Sequence, residues 1–196
     1  GLTYDGGFAE FAAVHEKYCY KLNDIENYYG DKTSALELGA MIEPVGVSYN
    51  GLFVRGGGFR PGGHAAVFGA GPIGLAAIAL LKTSGAAKLI AFETTAERSE
   101  LAKNMGADYV YNPIKLSDEG IDAGEMLMDL TDGRGIAVFA ECSGATNATY
   151  PVMAKSLAIA GKTVQIGHSI GKTSIDLYPF QFKAGMISGS NGQSGQ

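Results

Sequence analysis

Basic clusters and cysteines are both scarce in this sequence, and each scarcity argues against a class of protein. Lysine and arginine number 15 against 20 acidic residues, for a formal net charge of -5. No basic run or aromatic–basic interleaving occurs, so neither nucleic acid nor a membrane surface is expected as a partner. The two cysteines, Cys19 and Cys142, lie far apart without metal-ligand spacing. A reducing, cytoplasmic setting fits this usage better than a disulfide framework.

One long apolar run does occur, at residues 64–82, which read HAAVFGAGPIGLAAIALLK with no charge between the two ends. The run is slightly short for a membrane span, and it carries Gly69, Gly71, Pro72 and Gly74 in its middle. We therefore do not expect it to cross a membrane. The glycines instead fit the pattern G-x-G-x-x-G, which is typical of a turn between a strand and a helix.

Each glycine of this GAGPIG turn has a physical task in binding a dinucleotide. Gly69 permits the tight turn, Gly71 lets the backbone approach a pyrophosphate, and Gly74 lets the helix pack closely on the strand. Pro72 and Ile73 complete the motif, with the proline in the first helical turn, where its missing N–H costs nothing. Free amide groups and the positive end of the helix dipole then hold the pyrophosphate. Because tight packing alone also produces such turns, the motif depends on its context.

The context is an acidic residue at the end of the next predicted strand. Glu93 follows Gly74 by nineteen positions, where a carboxylate would accept hydrogen bonds from the adenosine ribose hydroxyls. The alternative is a solvated charge or the cap of the following helix. A carboxylate here also repels a 2′-phosphate, which favours NAD over NADP. Arg98 is a candidate to offset that repulsion, although five residues on it also fits the outer face of its helix.

Apolar strands alternate with helical patterns from residue 64 onwards. Strands that are apolar throughout and separated by helices require a parallel sheet covered on both faces. We therefore predict an α/β fold with a doubly wound, parallel, six-stranded sheet of the Rossmann type. The predicted strands are residues 64–69, 88–93, 108–112, 136–142 and 162–167, with a short strand, a turn or helix, and a sixth strand within 174–190. The predicted helices are residues 72–85, 95–106, 123–133 and 147–161, with a polar connection before the third.

The segment before residue 64 follows a different pattern. Residues 8–14, FAEFAAV, are apolar enough to predict a strand, and residues 33–50 predict a helix. We expect an interruption of that helix at Glu43-Pro44, because proline disfavours the helical conformation in the residue before it. The glycine- and proline-rich residues 55–63 predict a turn at a boundary.

A group of segments spread along nearly the whole chain carries a family likeness: GGFAEFAAV, IEPVGVSYNGL, VFGAGPIGL, AFETTAERSELAKNMGADYV, ECSGA, VQIGHS and ISGSNG. Together they resemble the zinc-type medium-chain dehydrogenase/reductase family of alcohol and polyol dehydrogenases. Their sequences are most similar to its sorbitol, threonine and inosose dehydrogenase branch. The resemblance implies that residues 1–44 are the C-terminal portion of a GroES-like catalytic domain. It implies that residues 45–196 are the NAD-binding Rossmann domain.

The resemblance also implies hydride transfer between an alcohol or polyol and NAD, with a catalytic zinc that binds the substrate oxygen. The family holds this zinc through a cysteine and a His-Glu pair that lie before the segment where this chain begins. Glu43 matches a position that supplies a further zinc ligand, or else a carboxylate that only hydrogen-bonds at the domain junction. The chain opens without Met and stops in GSNGQSGQ. We therefore expect a piece of a longer protein, with zinc bound only in the full-length form and no activity alone.

Other positions are implied to line the cofactor site. The resemblance assigns to it Cys142, Ser143, Gly144, Ile166, Gly167, His168, Ser188, Gly189 and Ser190. A small wall residue is the expected role of Cys142, and a plain surface histidine is the alternative for His168. The loop around Ser188 is implied to lie by the nicotinamide carboxamide. The chain itself supplies no catalytic residue.

Two other functions and one assembly remain open at this stage. A zinc-free enone or quinone reductase of the same superfamily is disfavoured by Glu43-Pro44, and a non-catalytic nucleotide-binding module is disfavoured by the dehydrogenase-like segment before residue 50. In the resembling family the last sheet edge pairs with its twin, so we expect a homodimer near residues 173–190, where Leu177 lies.

Overall fold

The computed structural model describes residues 6–192 of the chain. The chain forms two compact units, which divide between Ile42 and Glu43. The predicted assignment of residues 1–44 to a catalytic domain and of 45–196 to a nucleotide-binding domain stays a prediction. The chain ends that suggested a longer protein lie wholly or partly outside the described residues.

The first unit contains helices but no strand among its described residues. Its elements are a 3₁₀ turn (Glu16–Tyr18), α1 (Asn23–Tyr29) and the start of α2 (Lys32–Tyr49). The strand predicted at residues 8–14 is wrong, because this segment is irregular and leaves Phe8 and Phe11 exposed. A strand is stable only beside a hydrogen-bonded neighbour. Residues 6–42 contain no such neighbour.

Helix α2 runs through Pro44 without interruption, so the break predicted at Glu43-Pro44 is wrong. Proline removes one helical N–H, and it disfavours but does not forbid helix in the residue before it. Val47 and Leu52, beyond the proline, are both buried in the core of the second unit, and that packing offsets the loss. The helix passes directly into a π-helical turn, Asn50–Arg55, which the sequence did not predict.

Six parallel strands form one sheet in the order β3-β2-β1-β4-β5-β6. They are β1 (Ala65–Phe68), β2 (Leu89–Phe92), β3 (Tyr109–Tyr111), β4 (Ile136–Glu141), β5 (Leu157–Gln165) and β6 (Met186–Gly189). The helices of the second unit, after α2, are α3 (Pro72–Thr83), α4 (Ala96–Asn104), α5 (Pro113–Asp118), α6 (Ala123–Leu130), α7 (Thr146–Ser156) and α8 (Tyr178–Phe182). The predicted doubly wound sheet is confirmed. Because the strand order reverses between β1 and β4, a crevice opens at the carboxyl ends of these two strands.

The two faces of the sheet carry separate cores. Alternate residues of a strand point to opposite faces. Val67 of β1 accordingly packs in one cluster with Ile78 of α3, whereas Phe68 packs in the other with Met153 of α7. All four residues of β1 are buried. The burial of both faces explains why the strand is apolar throughout.

After β3, one predicted boundary and one predicted strand are wrong, and one helix was not predicted. Helix α7 ends at Ser156 rather than near residue 161, because β5 begins at Leu157, which pairs with Ile136 of β4; the pairing resumes at Lys162 after a register shift. The polar connection contains α5, whose N-cap Asn112 accepts hydrogen bonds from the first backbone N–H groups. The short strand predicted after residue 173 is absent, and that stretch leads irregularly into α8. Within residues 6–192, no helix is both long and apolar enough to cross a bilayer.

Candidate functional site

The turn between β1 and α3 is built from backbone approaches that only glycine allows. Gly69 adopts a left-handed conformation with φ +88°, and a Cβ there would lie 3.0–3.1 Å from Ser143 atoms. A Cβ on Gly74 would lie 1.8 Å from the carbonyl oxygen of Gly69, so only glycine fits where α3 crosses the turn. Gly71 is different, because no atom of the described part of the chain lies within 4 Å of its Cβ position. The space above Gly71 is therefore open to a ligand.

The first turn of α3 offers unpaired donors beside this space. Pro72 is the first helical residue, and no side chain caps the helix. The N–H groups of Ile73 and Gly74 therefore have no intrahelical acceptor. The hydroxyl of Ser48 on α2 donates to the carbonyl oxygen of Ile73 at 2.7 Å, which fixes the position of this turn. Ser48 is fully buried, and sequence reasoning did not single it out.

Glu93 follows β2 and is 5% exposed. Its Oε2 accepts a hydrogen bond from the backbone N–H of Ala70 at 2.8 Å. Its Oε1 accepts the backbone N–H groups of Thr94 and Thr95 at 2.8 and 3.0 Å, and the hydroxyl of Thr94 at 3.2 Å. Burial alone raises the pKa of this carboxyl, but the hydrogen bonds from Thr95, Ala70 and Thr94 outweigh burial and hold the pKa below its ordinary value. The group is therefore a carboxylate at neutral pH that ties the β1 turn to the β2 turn.

A cleft of about 370 Å³ lies over these two turns. It brings together several residues singled out in the sequence: Gly69, Gly71, Glu93, Arg98, Cys142 and Ser143. Arg98 is exposed on α4 and also borders the cleft. Its position is therefore compatible with both predicted roles, a residue of the outer helix face and a charge that offsets the repulsion of a 2′-phosphate. The far wall is apolar and comes from α7 and the loop before it, including Ala148 and Val152. A planar apolar group fits that wall, while a hydroxyl donor fits the end near Glu93.

A buried carboxylate that sequence reasoning missed, Glu141, organises the loop after β4. It is 0% exposed, and its Oε2 accepts from the side-chain amide of Gln165 at 2.7 Å. Its two carboxylate oxygens also accept the backbone N–H groups of Ser143 and Gly144 at 3.0–3.1 Å, and Oε1 accepts the hydroxyl of Ser143. An acid at the end of a strand was the available signal, because Glu93 occupies the same place after β2.

The loops after β4 and β5 meet backbone to backbone. A Cβ on Gly144, where φ is +75°, would lie 2.3 Å from the carbonyl oxygen of His168. A Cβ on Gly167 would lie 2.7 Å from the backbone nitrogen of Gly144. The two glycines therefore let the loops touch directly. The side chain of His168 is exposed.

A second cleft, also of about 370 Å³, lies over the ends of β5 and β6. Its lining includes Ile166, Gly167, His168, Gly189 and Ser190. Ser188 does not line it, because the hydroxyl of Ser188 donates to the carbonyl oxygen of Arg55 at 3.1 Å instead. Eleven of the predicted cofactor residues thus line one cleft or the other, whereas five line neither: Pro72, Ile73, Gly74, Gly144 and Ser188.

Cys142 forms part of the wall of the first cleft. Burial raises the pKa of its thiol strongly, and the adjacent Glu141 charge raises it further. A thiol that stays protonated at neutral pH is a poor nucleophile. This supports the predicted role of a wall residue.

The described residues do not form a zinc site. Glu43 is exposed on α2, and between residues 6 and 192 no three histidine, cysteine or acidic side chains come together as metal ligands do. Zinc in proteins needs three or four such ligands. Glu43 alone does not supply one.

Comparisons with known proteins point to one family. The family model for zinc-binding dehydrogenase matches residues 72–196. A scyllo-inosose 3-dehydrogenase of Thermotoga maritima is 37% identical over the whole chain, which covers 49% of that protein. An L-threonine 3-dehydrogenase of Pyrococcus abyssi is 36% identical over 90% of the chain and 46% of its own length.

Solved structures agree with this result. A Thermotoga maritima structure, assigned provisionally as an alcohol dehydrogenase, superposes with a TM-score of 0.88 at 36% identity and covers 98% of this chain and 48% of its own. The chain thus spans about half the length of the curated relatives it matches. It belongs to the zinc-binding dehydrogenases, the zinc-type medium-chain dehydrogenase/reductase family that its sequence resembles.

Proposed function

We propose that this chain is the dinucleotide-binding part of an NAD-dependent, zinc-type alcohol or polyol dehydrogenase. Family membership supports the reaction class, which is hydride transfer between a substrate carbon and a nicotinamide. The observation that carries the proposal is the first turn of α3. It presents unpaired N–H groups next to the open space above Gly71. A pyrophosphate is the ligand that such a turn favours, because the helix dipole adds a positive field to the donors.

The two clefts define how a dinucleotide would lie. The adenosine half would occupy the first cleft, with its ribose near Glu93 and Arg98 and its base against the apolar wall of α7. A doubly wound sheet binds dinucleotides across the crevice where its strand order reverses. The second nucleotide would therefore lie over the ends of β5 and β6, beside His168 and Ser190.

The cofactor that we propose is NAD rather than NADP. The hydrogen bonds to Glu93 leave one lone pair of Oε2 uncommitted, and a ribose hydroxyl can donate to it. A 2′-phosphate would instead meet a carboxylate that stays charged at neutral pH. Arg98 borders the same cleft and works in the opposite direction, so the preference is the balance of these two charges.

The metal belongs to the proposal for the whole protein. When bound, a catalytic zinc would stabilise the alkoxide form of the substrate. From this chain we propose only Glu43 as a ligand. A carboxylate that hydrogen-bonds at the domain junction is the alternative. The remaining ligands would come from outside residues 6–192, and the proposed substrates are small alcohols or polyols.

The domain organisation, assembly and setting are proposed on the same basis. Residues 1–44 would be the last part of a GroES-like catalytic domain, and 45–196 the Rossmann domain. The edge strand β6 exposes Met186 and Ile187, each 37% exposed, and would pair with its twin in a homodimer. A cytoplasmic setting accords with two unpaired cysteines.

A glycine replacement tests the proposed binding turn. Gly71→Ala adds a methyl group that meets no atom of residues 6–192 within 4 Å, and the φ of Gly71, -70°, suits alanine. The variant should therefore keep its melting temperature, yet bind NADH at least about tenfold more weakly, because the methyl group occupies the pyrophosphate position. Calorimetric titration and thermal unfolding measure the two quantities. Unchanged NADH affinity in Gly71→Ala would place the pyrophosphate elsewhere.

A further inference from the structure

The π-helical turn after α2 lies against the ends of β5 and β6, next to the second cleft. A Cβ on Gly51 would lie 2.7 Å from the side chain of Ile166 and 3.5 Å from that of Ser190. The carbonyl oxygen of Arg55 accepts the hydroxyl of Ser188. The turn therefore contacts both strands whose ends form this cleft. Helical turns of this kind are rare and frequent at functional sites.

Asn50, the first residue of the turn, holds the segment that follows β6. Its Nδ2 donates to the carbonyl oxygen of Gly192 at 2.9 Å and to the hydroxyl of Ser190 at 3.3 Å. The backbone N–H of Ser190 donates to the carbonyl oxygen of Gln165 at 2.9 Å. The segment is thus tied to the end of β5 by one backbone bond and to the π turn by one side-chain amide.

Asn50 is 2% exposed, so the cost of burying its amide must be offset by what it binds. Among residues 6–192 its Oδ1 finds no hydrogen-bond partner. An apolar side chain of the same size would fill this place without an unpaired carbonyl oxygen. The benefit of asparagine therefore lies in its two donor bonds to the segment at 190–192. That segment is one wall of the second cleft.

We infer that Asn50 is a positioning residue for the second nucleotide of the cofactor: its two donor bonds fix the position of residues 190–192 over the ends of β5 and β6. The inference rests on the proposed dinucleotide-binding function. It concerns the nicotinamide half alone, because the first cleft shares no lining residue with the second. Loss of the two donor bonds should loosen this wall and leave the adenosine half unaffected.

The test compares two ligands on one variant. Asn50→Asp keeps the shape of the side chain and replaces the Nδ2 donor with an oxygen that faces the carbonyl of Gly192. By calorimetry, Asn50→Asp should bind NADH about tenfold more weakly than the unaltered chain, while its affinity for ADP, which lacks the second nucleoside, stays within about twofold. Asn104→Asp is the matched control, since Asn104 ends α4, is exposed and lines neither cleft. It should change neither affinity.

A second variant and a second measurement distinguish the proposed loss of contacts from misfolding. Asn50→Ser introduces no buried charge and is too short to reach Gly192, so it should show the same selective loss. In both variants, hydrogen exchange at the amide of Ser190 should speed up at least about fivefold in the absence of ligand. Equal losses for NADH and ADP, or no loss for either, would overturn the role of Asn50. An unaltered chain that binds neither ligand would instead refute the proposed function itself.

Discussion

Glu93 joins two roles, so its replacement should affect stability and cofactor preference together. Ala70 is fully buried, and Glu93→Ala leaves its N–H without an acceptor, at a cost of about 1–3 kcal/mol. Thr94 and Thr95 are exposed, and their N–H groups can turn to water at about 0.5 kcal/mol each. The expected loss in the free energy of unfolding is therefore about 2–4 kcal/mol. It should appear as a fall in melting temperature of roughly 5–15 °C.

The same substitution should reduce discrimination against NADPH. At about 5 Å and an effective dielectric constant of about 40, each unit charge of a 2′-phosphate is repelled by about 1.7 kcal/mol, or roughly twentyfold in affinity. A 2′-phosphate carries nearly two charges and Arg98 offsets part of their repulsion, so the unaltered chain should bind NADH about twentyfold more tightly than NADPH. Glu93→Ala should narrow that ratio, and Arg98→Ala should widen it. Calorimetric titration with both cofactors measures each ratio.

Glu97→Ala is the matched control, because it removes an acid from the first turn of the same helix, α4, outside the cleft. It should leave the melting temperature and the cofactor ratio nearly unchanged. The low pKa of Glu93 adds a pH test: its stabilisation is present above the pKa of the unfolded chain and is lost as the pH falls through the folded-state pKa. Equal or tighter NADPH binding by the unaltered chain, or an unchanged melting temperature for Glu93→Ala, would refute this reasoning.

Three further predictions follow from other side chains. His64 is buried, its two ring nitrogens have no hydrogen-bond partner among the described residues, and burial lowers its pKa, so the urea midpoint should fall as the pH drops below about 6.5. His64→Phe should lack that part of the pH dependence. With a thiol reagent at pH 7 only the exposed Cys19 should react quickly, and a fast second equivalent from Cys142 would contradict its raised pKa. Light scattering should show a dimer that Ile187→Lys weakens. A monomer at high concentration, or a dimer that the substitution does not weaken, would contradict an interface at β6.

The sheet could be predicted because the apolar pattern of its central strands indicates strands that are buried on both faces. The residues of β1 and β2 are all apolar and all buried, and each strand is followed by a glycine or an acid that ends it. The glycine turn could be predicted for the same reason: the close approach of Gly74 to the carbonyl of Gly69 leaves room for no side chain. Where backbone sterics decide, the sequence shows the constraint directly.

The errors fall where tertiary pairing decides between two local options. Residues 157–161, LAIAG, are apolar and suit either the end of a helix or the start of a strand. They form the start of β5, whose pairing with β4 begins at Leu157 and resumes at Lys162. The helix α5 was missed although its signal was present, since Asn112 followed by Pro113 is a common N-cap and first helical residue. The π turn at Asn50 had no local signal, because contacts with Ile166 and Ser190 shape it.

The sequence predicted only part of the site, for a related reason. Sequence patterns name residues that a ligand touches, such as Gly71, but not the residues that hold the loops. Glu93 ties the turn after β1 to the turn after β2, and Glu141 ties the loop after β4 to Gln165 of β5. Each buried carboxylate thus uses the backbone N–H groups of its own loop and one donor from a neighbouring strand or its turn. The first turn of α3, which no side chain of the described residues caps, keeps backbone N–H donors available to an anion.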